Sequence, residues 1–94
     1  MFASVRHYKG VTDPSELGRR VQDDFVPILK EHQGFVAYYW VDSGDNEMVS
    51  MSVFEQEEDA IASNEEAKGW VAENVAELLP NPPEVNEGEV VATG

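Results

Sequence analysis

GFVAYYWVDSGDNEMVSMSVFE, residues Gly34–Glu55, is the stretch that decides the fold. Its first part, Phe35–Val41, is apolar or aromatic at every position, and its last part, Met48–Phe54, has Met, Val or Phe at five of seven positions. The residues between them, 42–46 (DSGDN), tolerate turn conformations. The stretch is therefore predicted to form a β-hairpin.

Both faces of the first hairpin strand are apolar. Side chains alternate along a strand, which places Phe35, Ala37, Tyr39 and Val41 on one face and Val36, Tyr38 and Trp40 on the other. An antiparallel sheet covered by helices on one side needs only one apolar face. A second copy of the chain is therefore expected to cover the other face, giving a homodimer through the sheet face and the 35–41 strand.

A helix is predicted upstream of the hairpin. Asp13 is placed as its N-cap and Pro14 at its first position, where a missing N–H costs nothing. Gly34 suits the turn that follows the helix. Pro27 lies inside the pattern, so a bend or interruption is expected near residues 23–26. The apolar stripe that should face the sheet consists of Leu17, Val21, Phe25, Ile28 and Leu29.

A second helix is predicted after the hairpin. The acidic cluster Glu55–Asp59 suits a helix N-terminus, and Pro80 stops the helix at its other end. Ser63–Glu66 also fits a capping box, so the helix is predicted in one piece or in two. Its inward face is predicted to comprise Ala60, Ile61, Ala67, Val71, Val75 and Leu78.

Two further strands, Phe2–Lys9 and Glu84–Thr93, complete the order β, α, β, β, α, β. This order predicts an α+β fold, the ferredoxin-like βαββαβ sandwich, with a four-stranded antiparallel sheet and both helices on one face. Right-handed crossovers put the first and third strands in the middle and the second and fourth at the edges. Residues 1–94 are expected to form a single domain.

Acidic residues dominate the composition. The chain has 19 Asp plus Glu against 6 Lys plus Arg, for a net charge of −13, and Lys68 is the only Lys or Arg after residue 47. Such a surface repels phosphate backbones and anionic lipids, so neither nucleic acid nor a membrane is an expected partner. With no Cys, no signal peptide and few lysines, the sequence is typical of a soluble cytoplasmic protein from a salt-rich cell.

Three local features accompany this order of elements. They are Gly34-Phe35 at the helix end, Tyr38 four residues after Gly34, and a third strand that runs through Ser52–Glu55 into an acidic helix. In these features the chain resembles the dimeric α+β barrel superfamily, and within it the antibiotic-biosynthesis-monooxygenase-like domains. That resemblance implies two sheets facing each other across a dimer axis and a small-molecule cavity between each sheet and its helices. Members range from cofactor-free quinone-forming oxygenases and haem-degrading enzymes to proteins of unknown role.

Asn64 is the first candidate catalytic residue. It projects near the middle of the inward face of the second helix, where a buried amide needs partners. The resemblance implies that Asn64 binds a ligand or stabilises an enolate-like anion, and the alternative is that it caps a second helical piece. Related oxygenases often have a Trp one turn after this Asn. Here that position is Lys68, and Trp70 is predicted to project about 110° from the centre of the stripe.

Four more side chains are candidate site residues. Arg6 lies inside a strand, where a half-buried Arg binds a carboxylate or an anionic ligand, and an ion pair with one of the many acids is the favoured alternative. Tyr38 is predicted as a second catalytic group, a phenol in the pocket. Tyr8 and Trp70 are predicted to help bind the substrate, although core and dimer packing explains aromatic residues equally well.

No cofactor and no metal is predicted. The two imidazoles, His7 and His32, form no HExxH motif and no i, i+4 pair. The first functional hypothesis is a cofactor-independent monooxygenase, or binder, of a small aromatic ligand, with a cavity of about 300 Å³ or more. The alternative is a non-catalytic dimeric module for binding or assembly, and haem breakdown is a weaker variant of the first hypothesis.

Overall fold

The helices and strands follow the predicted order in the computed structural model, which describes all residues 1–94. The strands are β1 Phe2–Tyr8, β2 Phe35–Gly44, β3 Glu47–Phe54 and β4 Glu84–Glu89. The helical elements are α1 Pro14–Arg20, a π-helical turn Val21–Phe25, α2 Val26–Lys30 and α3 Glu57–Asn74. No helix combines the length and the apolar character that crossing a membrane would require.

The four strands form one antiparallel sheet in the order β2-β3-β1-β4. Strands β1 and β3 are central and β2 and β4 are the edges, which confirms the predicted ferredoxin-like arrangement. The helices cover one face of the sheet, and the core lies between the two layers. On this face Arg6 is paired with Ser50 on β3 and Val85 on β4. The strand neighbours of Arg6 are therefore uncharged on both sides.

The hairpin turn consists of two residues, Asp45 and Asn46, which both have positive φ, 55° and 58°. This is the conformation of a type I′ turn, which Asp and Asn tolerate, and it is shorter than the predicted five-residue turn. A bulge between Phe35 and Ala37 turns Phe35 to the helical side, where its ring packs edge-on against Phe54 at 5.9 Å. The prediction that Phe35 shares a face with Ala37 is wrong because the bulge breaks the alternation.

The first helical layer is interrupted by the π-helical turn. Asp13 caps α1 as predicted and accepts a hydrogen bond from Glu16 N at 3.3 Å. The N–H of Val26 bonds to the carbonyl of Val21, five residues back, just before Pro27. A proline ring lacks an N–H and clashes with the carbonyl four residues back, so the extra residue of the π turn relieves the clash. The predicted interruption is confirmed.

The π turn also keeps the buried stripe in line. Leu17, Val21, Phe25 and Leu29 are all buried although they lie four residues apart. In a regular α-helix this spacing drifts by about 40° per step, or about 120° from Leu17 to Leu29. The wider π turn takes up about half of that drift, which keeps the four side chains of the stripe on the buried side of the helical layer.

Helix α3 is continuous, which excludes a second helical piece capped near Ser63. Its buried face includes Ala60, Ser63 and Trp70, whereas Ile61 is 54% exposed. The Ser63 hydroxyl donates to Ala60 O at 2.8 Å, so this polar side chain is satisfied when buried. The apolar pattern left Ser63 out and therefore placed the face about 60° from its true position. Trp70, predicted to project away from the stripe, is instead part of the core.

Candidate functional site

A cleft lies between the helix-facing side of the sheet and helix α3, and it has two adjoining chambers. The inner chamber has a volume of about 30 Å³, which holds roughly one water molecule. The outer chamber has a volume of about 370 Å³ and opens to solvent, which is within the size range of small-ligand pockets. Both chambers are lined by Arg6, Tyr8, Asn64, Ala67, Val71 and Leu79. A ring-sized ligand therefore has to occupy the outer chamber.

Arg6 is a half-buried cation without a carboxylate partner. No Asp or Glu oxygen lies within 4.0 Å of its guanidinium, whereas Arg19 holds Glu16 at 2.8 Å. Glu87, on the same side of β4, accepts a hydrogen bond from the hydroxyl of Ser4 at 3.0 Å. The ion pair favoured for Arg6 from the sequence is therefore wrong, because its strand neighbours are uncharged and its side chain lines the cleft.

Asn64 projects from α3 into the same cleft. The helix is unbroken around it, so the alternative in which Asn64 is a cap is wrong. The side-chain amide of Asn64 makes no hydrogen bond with another residue. By contrast, the side-chain amide of Asn74, the last residue of α3, donates to Trp70 O at 3.0 Å. Both N–H donors and the carbonyl acceptor of Asn64 are therefore free to bind a ligand.

Aromatic rings form the floor of the cleft. Tyr8 lines both chambers, and its ring lies 5.3 Å from that of Trp40. Tyr38 and Trp70 line only the inner chamber, where both rings pack against the ring of Phe25, at centroid distances of 5.8 and 5.0 Å. Tyr8 therefore contacts the space that a ligand would fill, whereas Tyr38 and Trp70 form the apolar wall behind it.

Both tyrosines of the cleft remain neutral at neutral pH. Burial raises the pKa of Tyr8, and the charge of nearby Arg6 only partly offsets this. Burial also raises the pKa of Tyr38, and the proximity of Tyr8 adds to the effect. No carboxylate and no imidazole lines either chamber. The cleft therefore presents hydrogen-bond donors and a cation, but no group that could take a proton from a ligand near pH 7.

Ser52 has a buried hydroxyl that lacks a hydrogen-bond partner. It lines the inner chamber, beside its strand partners Tyr38 on β2 and Ser4 on β1. Buried hydroxyls normally have a partner. The mostly apolar inner chamber therefore has one polar point, the Ser52 hydroxyl, to which a water molecule or the polar end of a ligand could bind.

Lys68 also lines the site, although its position in the sequence did not indicate this role. It lies one turn after Asn64 and lines the outer chamber together with the proline-rich loop, residues 80–83. Its ammonium is 3.8 Å from Glu65, and both side chains are largely exposed, so this pair is weak. The sequence feature that could have pointed to Lys68 is that it is the only Lys or Arg after residue 47.

The opposite face of the sheet is apolar and has no cover. Tyr39 is 59% exposed, and Val41 and Met51 lie beside it on the same face. His7 also lies on this side, where it pairs with Glu47 at 2.6 Å. Tyr39 therefore has no part in the cleft.

The two imidazoles lie outside the cleft. His7 is on the far side of the sheet, and His32 is at the end of the first helical layer, 3.4 Å from Glu66. No group of three or more His, Asp and Glu side chains is gathered so that it could hold a metal ion.

No protein-family model and no curated protein matches the sequence. Solved structures do match. The chain superimposes on the NE2512 protein of unknown function from Nitrosomonas europaea with a TM-score of 0.79 and 18% identity, over 99% of this chain and 91% of that one. A monooxygenase from the gene ActVA-Orf6 of Streptomyces coelicolor, in complex with nanaomycin D, gives a TM-score of 0.73 and 18% identity, over 98% of this chain and 92% of that one. A variant of MhuD with two manganese protoporphyrin IX molecules bound per active site gives a TM-score of 0.75 and 18% identity, over 100% of this chain and 98% of that one.

The chain has the fold of the antibiotic-biosynthesis-monooxygenase-like proteins. The resemblance inferred from the sequence is confirmed at the level of the fold. At 18% identity the antibiotic-biosynthesis-monooxygenase-like fold does not carry an activity with it, so the chemistry of the cleft has to be argued from its own side chains.

Proposed function

We propose that the cleft binds a small aromatic or phenolic molecule and that the protein oxygenates it without a metal or an organic cofactor. The observation that carries this proposal is the free amide of Asn64 on the wall of a chamber of about 370 Å³. The phenol of Tyr8 lines the same chamber. An aromatic ligand placed there would have a polar donor on one side and apolar surface on the other.

The proposed reaction converts an activated CH₂ group of the substrate into a carbonyl. The ionised substrate gives its electrons to O₂, one oxygen atom becomes the carbonyl oxygen, and the other leaves as water together with the two hydrogens. Carbon supplies the four electrons that O₂ takes up, so no other reductant is needed. Asn64 would donate a hydrogen bond to the enolate-like oxygen of the substrate anion, where charge is concentrated. Tyr38 and Trp70, behind it, would exclude water.

Oxygen uptake with anthrone as substrate, at an alkaline pH where part of the anthrone is ionised in solution, tests this proposal. Removing one donor to a developing oxyanion costs about 10²–10³ in rate, so Asn64→Ala should lose activity by that factor. Asn74→Ala is the matched control, because Asn74 is on the same helix but bonds to the helix backbone. Equal rates for Asn64→Ala and the unchanged protein would refute the role of Asn64. Binding of aromatic ligands without any oxygen uptake would refute the oxygenase.

A binding module without chemistry is the second candidate. The lack of a carboxylate or an imidazole in the cleft favours it, because no side chain there can start a reaction by taking a proton. Aromatic ligands would then raise the melting temperature, in proportion to their occupancy, while the ligands are recovered unchanged.

Haem breakdown receives less support. Haem iron is held by His, Cys, Met or Tyr ligands. Neither His7 nor His32 lines the cleft, and Tyr8 is a buried phenol whose pKa is raised. The residues present therefore do not fit a haem held by histidine. Added haemin is expected to show no shifted absorption band.

We propose in addition that two copies of the chain pair through the uncovered sheet face. A contiguous apolar face of this kind is unusual on a monomer, and Tyr39, Val41 and Met51 are its most exposed members. Met51→Glu should therefore give a single subunit in light scattering. Ile61→Glu is the matched control, because Ile61 is exposed on α3. A monomeric unchanged protein at micromolar concentration would refute the pairing.

A further inference from the structure

We infer that the cleft selects anionic ligands, whose carboxylate or phenolate oxygen binds to the guanidinium of Arg6. This inference rests on the proposal that the cleft holds a small aromatic molecule, and it adds the charge that the molecule carries. It concerns the ligand and not the reaction, so it holds equally for an oxygenase and for a binding module.

The isolation of Arg6 is the first observation. The chain has 19 acidic residues, and both other arginines, Arg19 and Arg20, are bound to one of them. Arg6 is half-buried and has none within 4.0 Å. A partly desolvated guanidinium without an anion is unfavourable in the free protein. A ligand carboxylate would supply the missing partner, in the two-pronged geometry that Arg favours.

The distribution of charge along the walls is the second observation. Two of the six Lys and Arg residues of the chain, Arg6 and Lys68, line the outer chamber. None of the acidic residues lines either chamber. In a protein with a net charge of −13, the charged side chains that line the outer chamber are therefore all cations. An anion that approaches the acidic surface would find its favourable potential at the mouth beside Lys68.

The hydrogen-bonding groups of the outer chamber are the third observation. Arg6 carries only donors, Tyr8 is a neutral phenol, and Asn64 has two free N–H groups. Three donors that converge on one space are suited to an oxygen atom that carries negative charge. The cleft also lacks a base, so a ligand has to arrive already ionised, as a carboxylic acid or an acidic phenol does at neutral pH.

The shape of the outer chamber restricts the rest of the ligand. Its volume of about 370 Å³ is lined in part by Val71 and Ala72 of α3 and by Pro82 and Pro83. These walls are apolar, and proline rings are rigid. The ligand class is therefore a compact aromatic ring system that fits this volume and carries a single anionic group.

Isothermal titration calorimetry with a matched pair of probes tests the inference. The probes are 2-naphthoate and 2-naphthamide, which have the same shape but differ in charge, at 0.15 M salt. A charged hydrogen bond to Arg6 should make 2-naphthoate bind about 10- to 100-fold more tightly. Arg6→Gln should bring the two affinities within about threefold. Arg19→Gln, which removes the same charge far from the cleft, should keep the preference.

Two results would overturn the inference. One is equal affinity of both probes for the unchanged protein. The other is a preference for 2-naphthoate that survives in Arg6→Gln. Circular dichroism and a second variant, Arg6→Met, show that a loss of preference is not a loss of fold. If 2-naphthoate is preferred through Arg6 but no substrate consumes oxygen, the inference stands and the oxygenase fails. If both probes bind equally and anthrone is oxygenated, the oxygenase proposal stands and the inference about anionic ligands fails.

Discussion

Arg6→Met is predicted to stabilise the free protein. Arg6 is half-buried between Ser50 and Val85 and has no acidic partner, so the substitution removes a solvation cost and breaks no ion pair. Replacing buried charges with apolar side chains of similar size changes the stability by about 0–4 kcal/mol in the favourable direction. Because Arg6 keeps part of its hydration, we expect about 1 kcal/mol, which for a chain of 94 residues raises the melting temperature by about 4–8 °C.

The salt concentration affects how much of the stability gain of Arg6→Met can be measured. Removing a cation makes the net charge of −13 more negative, and the added repulsion opposes the gain at low salt. At 1 M salt the screening length falls to about 3 Å. Differential scanning calorimetry at 1 M salt and at one fixed protein concentration is therefore the assay. Arg19→Met is the control, because it breaks the contact with Glu16 and should give no gain.

One result would refute the reasoning about Arg6. If Arg6→Met lowers the stability at 1 M salt by about 3 kcal/mol or more, the guanidinium has a buried partner and is not free. The anionic-ligand inference would lose its main support together with this prediction. If Arg6→Met is more stable, then Arg6 lowers the stability of the free protein, and an anionic ligand bound to Arg6 would restore it.

Three further predictions concern Tyr38, the turn glycine Gly34, and Trp70. Burial raises the pKa of Tyr38, so the unfolded chain loses this proton first and the free energy of unfolding falls as the pH rises above about 10; Tyr38→Phe should reduce that loss in urea titrations at pH 8 and pH 11, and an unchanged loss would contradict it. Gly34 has a φ of 78°, and an added Cβ would collide with the carboxylate of Asp59. Gly44 has a φ of 87° with open space around it, so Gly44→Ala should lower the free energy of unfolding by about 1–2 kcal/mol and Gly34→Ala should lower it by more. Equal costs in urea titrations would show that Asp59 moves away freely. Trp70→Ala should lower the free energy of unfolding by about 3–5 kcal/mol, measured by urea titration, and a cost below about 1 kcal/mol would mean that the ring is not in the core.

Local signals were sufficient for the order of elements and most of their boundaries. The cap at Asp13, the interruption before Pro27 and the glycine at residue 34 each act within a few residues, and the structure contains all three. Two boundaries were placed too far along the chain, since α3 ends at Asn74 and β4 at Glu89. The two misplaced faces came from single-residue irregularities. The bulge beside Phe35 and the buried Ser63 of α3 each moved a face that regular periodicity had placed elsewhere.

The composition of the cleft depends on pairing across the fold, which the sequence shows only weakly. Nothing near Arg6 in the sequence indicates that Ser50 and Val85 would be its strand neighbours, and the abundance of acids suggested a partner that the register does not supply. Lys68 reaches the outer chamber because α3 is continuous past Asn64. Asn64 was found from the sequence because its helix position and the family resemblance indicated the same face.

The most direct test of the central claim is a titration of the ¹⁵N-labelled protein with 2-naphthoate, followed by NMR. If the cleft between the sheet and α3 is the ligand site, the largest shifts should fall on the side-chain amide of Asn64, the side-chain Nε–H of Arg6 and the backbone of Lys68. The backbone amides of Tyr39 and Met51, on the other face of the sheet, should stay in place. Shifts confined to that other face, or no shifts at millimolar ligand, would contradict the account.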